Sequence, residues 1–137
     1  MESQASGHPP SAPTLRFTIL RHERPVEPHW DLLLEISGQD PLLAWQIRES
    51  PDQWPGQTLT ARRLPDHRRI YLDYEGPLSN DRGHVTRYDT GVIAWTEFTT
   101  TEARFTLQGA RLRIAIRASG TGADLWSLIV SPLSPVP

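Results

Sequence analysis

The chain has 137 residues, of which 37% are hydrophobic and 22% charged, with a formal net charge of −2, and these values are typical of one soluble globular domain. The absence of cysteine excludes disulfides and thiolate metal sites and fits a reducing cytoplasm. No run of apolar residues is long enough to cross a membrane, and the sequence does not open with a secretory signal pattern. All 14 basic residues are arginine, and the slightly acidic balance argues against a broad grip on a nucleic-acid duplex while allowing a short contact at a strand end.

The predicted organisation is one domain between two tails. Residues 1–14 are rich in Ser, Pro and Gly without an apolar period, so we expect a disordered leader. Residues 131–137 contain three prolines and predict a flexible tail. The folded domain is therefore expected to span residues 15–130.

Within that domain the patterns are mostly those of short β-strands separated by turn residues. Helix is scarce, with a turn or two expected near residues 50–54. The predicted strands cover residues 16–20, 29–36, 42–47, 58–63, 70–75, 84–88, 91–97, 103–108, 112–117 and 125–130. Turns are expected at residues 37–38, 55–56, 81–83, 89–91, 108–109 and 120–122. This spacing predicts an all-β fold, a small closed or partly open antiparallel barrel or a sandwich.

One candidate metal site lies on the second predicted strand. His29 and Asp31 are two residues apart, so an extended strand projects both side chains from the same face. His22 follows the first strand, and a proline-containing link could bring it beside His29. Two imidazoles and one carboxylate suit Mn²⁺, Fe²⁺ or Zn²⁺ better than Ca²⁺ or Mg²⁺. The simpler alternative is a hydrogen-bonded His29–Asp31 pair on a solvated face, with His22 unrelated.

A second polar cluster follows at residues 66–76. If residues 67–75 form one strand, His67, Arg69, Tyr71, Asp73 and Glu75 share a face. A histidine and a tyrosine four residues apart could both donate hydrogen bonds to a phosphate oxygen. The simpler alternative is an exposed polar strand face, and the residues alone favour it.

The order of these motifs resembles the 3′-phosphoesterase domain found at the N-terminus of many bacterial DNA ligase D proteins and also as free-standing small proteins. The resemblance rests on Arg-His at 21–22, His-Trp-Asp-Leu-Leu-Leu-Glu at 29–35 and Asp-His-Arg-Arg-Ile-Tyr-Leu-Asp-Tyr-Glu-Gly at 66–76. Weaker similarities follow at residues 43–45, 88–91, 105–109 and 126–129, so that it spans about residues 17–130.

The resemblance implies a small β-barrel, a catalytic Mn²⁺ or another divalent transition metal held by His22, His29 and Asp31, and phosphate contacts from His67 and Tyr71. It also implies removal of a 3′-terminal phosphate or ribonucleotide from DNA or RNA ends of a primer-template in end-joining repair. The expected protein is a monomeric bacterial cytoplasmic enzyme, associated at most with the nucleoid. Its partners are expected to be nucleic-acid 3′ ends and separate ligase or polymerase repair proteins, and not a membrane.

One departure from the family pattern bears on activity. The family has an arginine two positions after the aspartate as a phosphate clamp, and this chain has Leu33 there. A leucine cannot offer a bidentate guanidinium. Either another arginine reaches the phosphate, with Arg21, Arg24 and Arg63 as candidates, or turnover is poor.

Two other functions are compatible with the motifs. A non-haem Fe(II) oxygenase would use His29, Asp31 and His67 as its ligands and would leave His22 without a role. A catalytically weakened or inactive module would use the barrel only to bind nucleic-acid ends. The loss of the family arginine favours this module, whereas retention of the other site residues argues against it.

Overall fold

A computed structural model describes residues 14–133, and the predicted disordered leader and most of the predicted tail lie outside this range. Nine strands make up nearly all of its regular structure. They are β1 (Leu15–Glu23), β2 (His29–Glu35), β3 (Leu42–Ile47), β4 (Thr58–Arg63), β5 (Gly76–Pro77), β6 (His84–Phe98), β7 (Glu102–Gly109), β8 (Arg113–Gly122) and β9 (Leu125–Pro132). Two short 3-10 helices lie at Pro51–Gln53, where a helical turn is predicted, and at Arg69–Leu72.

The strands form a closed antiparallel barrel, as predicted. Neighbouring strands follow the order β1-β2-β3-β4-β9-β8-β7-β6-β5, and β1 also pairs with β6. That pairing closes a ring of eight strands and leaves β5 outside it as a two-residue addition to β6. Closure gives every strand of the ring two hydrogen-bonded neighbours and leaves no long edge exposed.

The barrel interior is filled by large apolar side chains. Trp45 is fully buried and stacks with Phe105 at 5.9 Å between ring centroids, while Trp126 packs against it at 5.5 Å. Strand β2 contributes Leu32 and Leu34 to this core. These residues alternate with His29, Asp31 and Leu33, so the period-two pattern of β2 predicts the two faces correctly.

A second, smaller apolar cluster lies on the outside of the barrel and explains why β2 is buried on both faces. It contains Leu33, Leu42 and Leu72, and Leu64 and Leu78 pack against it. The segment between β4 and β6, residues 64–83, therefore covers the outer face of β1, β2 and β3, and we call it the covering segment. This cover places polar groups of residues 64–82 opposite those that β1 and β2 project outward.

Four details of the predicted secondary structure are wrong. Residues 70–75 do not form a strand, because Arg69–Leu72 is a 3-10 helix that buries Leu72, whose carbonyl accepts a hydrogen bond from the Thr18 hydroxyl at 2.9 Å. The proposed common strand face of residues 67–75 therefore does not exist.

Residues 89–91 are not a turn, and residues 84–98 form one continuous strand with bulges. Here the carboxylate of Asp89 accepts hydrogen bonds from the amides of Ala110 and Leu112, both at 2.9 Å, so the residue holds the β7–β8 turn. Residues 108–109 likewise end β7, with the bend at residues 110–111, and residues 120–122 belong to β8, with the turn at residues 123–124. At the C-terminal end β9 continues to Pro132, two residues into the predicted tail.

Within residues 14–133, no helix has the length and apolar character needed to cross a membrane.

Candidate metal and phosphate site

The first two strands bring His22, His29 and Asp31 together. In the antiparallel register of β1 and β2, His22 lies opposite His29, and Leu20 lies opposite Asp31. His29 and Asp31 share the outer face of β2, and His22 projects from the same face of β1. The two imidazole rings meet edge to face with centroids 4.6 Å apart. We call these three residues the His–Asp cluster.

The cluster is compact and largely shielded from solvent. His22 Nδ1 lies 3.3 Å from Asp31 Oδ2, and His29 Nε2 lies 3.0 Å from Asp31 Oδ1. The side chains of His22, His29 and Asp31 are 13%, 4% and 7% exposed. One ligand atom from each residue falls within 4.8 Å of the others, and among the residues that the structure describes these three form the only such group of His, Asp and Glu side chains.

Backbone carbonyls orient both imidazoles. His22 Nε2 lies 2.8 Å from the Arg82 carbonyl oxygen, and His29 Nδ1 lies 3.2 Å from the Glu27 carbonyl oxygen. A carbonyl can only accept, so each of these nitrogens carries the proton. The opposite nitrogens, His22 Nδ1 and His29 Nε2, then face Asp31 as lone pairs when the rings are neutral. Metal-binding histidines are typically held in this way by an acceptor behind the ring.

Two buried polar atoms of the cluster have no hydrogen-bond partner among the residues that the structure describes. They are His22 Nδ1 and Asp31 Oδ1, and the close approaches to them do not have hydrogen-bond geometry. Unpaired buried polar atoms are costly, and lone pairs that converge on a carboxylate repel it unless a cation lies among them. A proton on an imidazole or a divalent transition metal would satisfy this arrangement, and the N/O donor set suits such a metal.

The electrostatics of the metal-free cluster favour the protonated alternative at low pH. Once His22 is protonated, its interaction with the nearby Asp31 carboxylate raises the pKa of His22 above its ordinary value, and burial opposes that effect only in part. Burial alone would raise the pKa of Asp31, but the interactions of its carboxylate with His22 and His29 outweigh burial, so that pKa lies below its ordinary value. A metal must therefore compete with a proton for His22.

The cluster lies in a pocket that His67 and Tyr71 also line, which we call the histidine pocket. It has a volume of about 360 Å³, and Leu20, Leu64, Leu78 and Val85 provide its apolar part. His67 Nδ1 lies 2.7 Å from the Pro65 carbonyl oxygen, which leaves Nε2 as the free ring nitrogen. The rings of His67 and Tyr71 meet edge to face, with centroids 5.8 Å apart. The covering segment thus brings both residues to the His–Asp cluster although residues 70–75 are not a strand.

The position at which the family has an arginine lies in an apolar environment that does not suit a charged side chain. Leu33 is fully buried in the outer apolar cluster. Of the candidate replacements, Arg24 lines the histidine pocket. Arg63 does not line it and donates to Asp66 at 3.1 Å, while Arg21 pairs with Glu23 at 2.9 Å and lies over the ring of Trp30.

Sequence reasoning missed two further arginines of the pocket, Arg68 and Arg82. The Arg68 guanidinium lies over the Tyr71 ring, 5.9 Å from its centroid. Arg82 bonds through its guanidinium to Ser79 and through its carbonyl to His22. Their proximity depends on the path of the covering segment, which no local pattern encodes.

A glycine allows the loop before β6 to reach the cluster. Gly83 has a left-handed φ of 85°, and a Cβ at this position would collide with the backbone carbonyl of Glu23. Only glycine tolerates both conditions. The close approach holds the neighbouring Arg82 carbonyl against His22. The Asp-Arg-Gly pattern at residues 81–83 predicts a turn, but its second role becomes visible only in three dimensions.

Comparison with known protein families supplies an independent finding. The family model described as DNA Ligase D 3'-phosphoesterase domain matches residues 20–117, which include the His–Asp cluster, the covering segment and the strands up to β8. No curated protein gives a significant match to the chain.

Proposed function

From its membership of the DNA ligase D 3′-phosphoesterase domain family, we propose that this protein is a Mn²⁺-dependent phosphoesterase that restores 3′-hydroxyl ends on nucleic acids during DNA repair. Its substrates would be DNA or RNA strands that end in a 3′-phosphate or a 3′-ribonucleotide. The observation that carries the proposal is the pair of buried unpaired atoms, His22 Nδ1 and Asp31 Oδ1, in a pocket that His67 and Tyr71 share.

The proposed roles follow from the donor atoms. His22 Nδ1, His29 Nε2 and an Asp31 oxygen would hold the metal, which when bound neutralises charge that develops on the phosphoryl oxygens. The Tyr71 hydroxyl would donate to a non-bridging oxygen, and His67 would protonate the leaving 3′ oxygen or donate a hydrogen bond to it. Water would add to phosphorus as the bond to the 3′ oxygen breaks, giving a 3′-hydroxyl and inorganic phosphate from a 3′-phosphate end, or a 3′-hydroxyl and a released nucleotide from a 3′-ribonucleotide end.

The pocket arginines support the choice of an anionic substrate. Arg24 and Arg68 make no salt bridge within residues 14–133, and both line the pocket. Asp66 also lines it, but its charge is compensated by Arg63. These two guanidinium groups, without a carboxylate partner among residues 14–133, give the pocket an attraction for phosphate that does not need an arginine at position 33.

The iron oxygenase alternative receives less support from this geometry. It needs His67 as a ligand beside His29 and Asp31. In the compact group of ligand atoms, the second histidine beside His29 and Asp31 is His22, and His67 does not belong to the group. The non-catalytic end-binding module keeps one specific argument, the burial of Leu33 at the position of the family arginine.

The direct test is conversion of a recessed primer with a 3′-phosphate to a 3′-hydroxyl in the presence of Mn²⁺. His29→Ala and His67→Ala should each reduce the rate, by about a hundredfold or more for the metal ligand. His84→Ala is the matched control, since His84 is exposed and does not line the pocket.

Conversion that His29→Ala abolishes and His84→Ala preserves would support the enzyme. If the wild-type protein binds Mn²⁺ and the primer end without converting it, the end-binding module replaces this proposal. Equal activity in wild type and His29→Ala would remove the site assignment altogether.

A further inference from the structure

A row of outward-facing side chains runs from the His–Asp cluster across three strands. Asp31 on β2 lies opposite Gln46 on β3, and Gln46 lies opposite Arg62 on β4. Residues in direct register on neighbouring strands share a face of the sheet. Gln46 is partly buried and Arg62 is exposed, so the row opens towards solvent as it leaves the cluster.

Neighbouring cavities follow the same row and share lining residues. The histidine pocket shares His29 and Gln46 with a second cavity of about 170 Å³, which Glu27 and Arg48 also line. That cavity shares Gln46 and Arg48 with a third, of about 270 Å³, whose lining includes Arg62. The three cavities are neighbours along the surface, and we call the second and third together the β3–β4 groove.

Arginine side chains along the groove would attract a polyanion, although carboxylates nearby compete with it. Arg62 makes no salt bridge within residues 14–133. Arg48 pairs with Glu27 at 3.0 Å, but the two side chains are 79% and 65% exposed, so exchanging the carboxylate for a phosphate has little cost. Glu49 also lines the groove and opposes anion binding there. Arg62 is therefore the group best placed to contact a phosphate.

We propose that the β3–β4 groove binds the sugar–phosphate backbone of the same strand whose 3′ end occupies the histidine pocket, with Arg62 contacting an internal phosphate. This inference rests on the proposed function, because it takes the strand end to lie at the His–Asp cluster. It adds to the proposed nucleic-acid substrate a backbone contact at Arg62, away from the reacting group.

The dimensions of the sheet set the position of that contact. Neighbouring strands are about 4.8 Å apart, so Arg62 on β4 starts about 10 Å from Asp31 on β2. A stacked strand rises about 3.4 Å per nucleotide, so the contacted phosphate lies roughly three nucleotides from the terminus. Shorter substrates should not gain from Arg62.

The test compares binding of a 3′-phosphorylated mononucleotide with that of a 3′-phosphorylated oligonucleotide of about eight nucleotides. Arg62→Gln should weaken oligonucleotide binding roughly fivefold and leave mononucleotide binding unchanged. It should also reduce the slope of log K against log salt concentration by about 0.7, the value for one phosphate contact on a single strand. Arg113→Gln, an exposed arginine of β8 outside the groove, is the matched control.

Each outcome decides between the alternatives. Length-dependent loss in Arg62→Gln alone supports the groove, and it would do so even if the wild-type protein failed to hydrolyse the end. An unchanged Arg62→Gln, an equal loss in Arg113→Gln, or wild-type binding that does not improve with length would each overturn the inference. Length-dependent binding by a wild-type protein that does not convert the end would contradict the proposed function and leave the groove intact.

Discussion

Replacement of Asp31 by Asn should change the stability of the metal-free protein in opposite directions at low and high pH. Below the raised pKa of His22, Asp31 pairs with an imidazolium. Above it, the carboxylate faces the lone pairs of two neutral rings, at His22 Nδ1 and His29 Nε2. An asparagine amide removes the ion pair but can donate a hydrogen bond to a neutral ring.

The sign follows from proton linkage. A raised His22 pKa stabilises the fold below the unfolded value of 6.5, and this contribution disappears as the pH rises through the folded pKa. The lowered Asp31 pKa contributes above its unfolded value of 3.8 and disappears as the pH falls through the folded pKa. The pair is therefore complete between these values, at about pH 5.5, and Asp31→Asn should cost about 2 kcal/mol there.

At about pH 9 the same substitution should change stability by less than about 1 kcal/mol or increase it. Thermal unfolding in a chelator measures both values, and about 2 kcal/mol corresponds to about 8 °C for a domain of this size. Mn²⁺ at about a hundred times its dissociation constant should stabilise the wild type by about 2.7 kcal/mol. With affinity reduced about a hundredfold, Asp31→Asn should gain only about 0.4 kcal/mol at the same concentration.

A loss of several kcal/mol at both pH values would refute this reasoning, because Asp31 would then be a structural group. A full Mn²⁺ stabilisation in Asp31→Asn would refute the ligand assignment. The conservative Asp31→Glu variant keeps the charge and separates loss of charge from loss of position.

Four other predictions concern the cluster and its surroundings. Mn²⁺ affinity should fall about tenfold per pH unit below the raised pKa of His22, because a proton must leave Nδ1, and calorimetric titration at several pH values would detect a flat profile if the assignment is wrong. Arg68→Gln should raise KM for a 3′-phosphate end about tenfold while Arg68→Lys recovers part of the loss; unchanged steady-state kinetics would exclude Arg68 from phosphate binding. Leu33→Arg should destabilise the fold by about 3 kcal/mol or more in urea denaturation, because the site is fully buried among apolar side chains; a neutral effect would mean that an arginine can reach the pocket from β2. Asp89→Ala should cost about 3 kcal/mol by the same measurement, since the amides of the β7–β8 turn lose their acceptor, and Mn²⁺ affinity should be unchanged.

The strands and the His–Asp cluster could be predicted because their information is local. The alternation along β2 places His29, Asp31 and Leu33 on one face of the strand and Leu32 and Leu34 on the other, independently of the rest of the chain. A short link between β1 and β2 then leaves little freedom in where His22 can lie.

The covering segment could not be predicted in the same way. Residues 70–75 alternate like a strand, yet Leu72 is drawn into the outer apolar cluster and its carbonyl bonds to Thr18. Tertiary contacts outweigh the local β preference there. The sequence around Asp89 resembles a turn, but the residue lies within β6. Its carboxylate accepts hydrogen bonds from the amides of the β7–β8 turn. The pocket arginines Arg68 and Arg82 depend on this same long-range packing.

The central claim is that His22, His29 and Asp31 hold the catalytic metal in a pocket that binds 3′-phosphate ends. It is tested most directly by anomalous scattering from crystals soaked with Mn²⁺. The account predicts one strong peak about 2.2 Å from His22 Nδ1, His29 Nε2 and an Asp31 oxygen. A peak elsewhere, or none at a concentration that supports turnover, would contradict it.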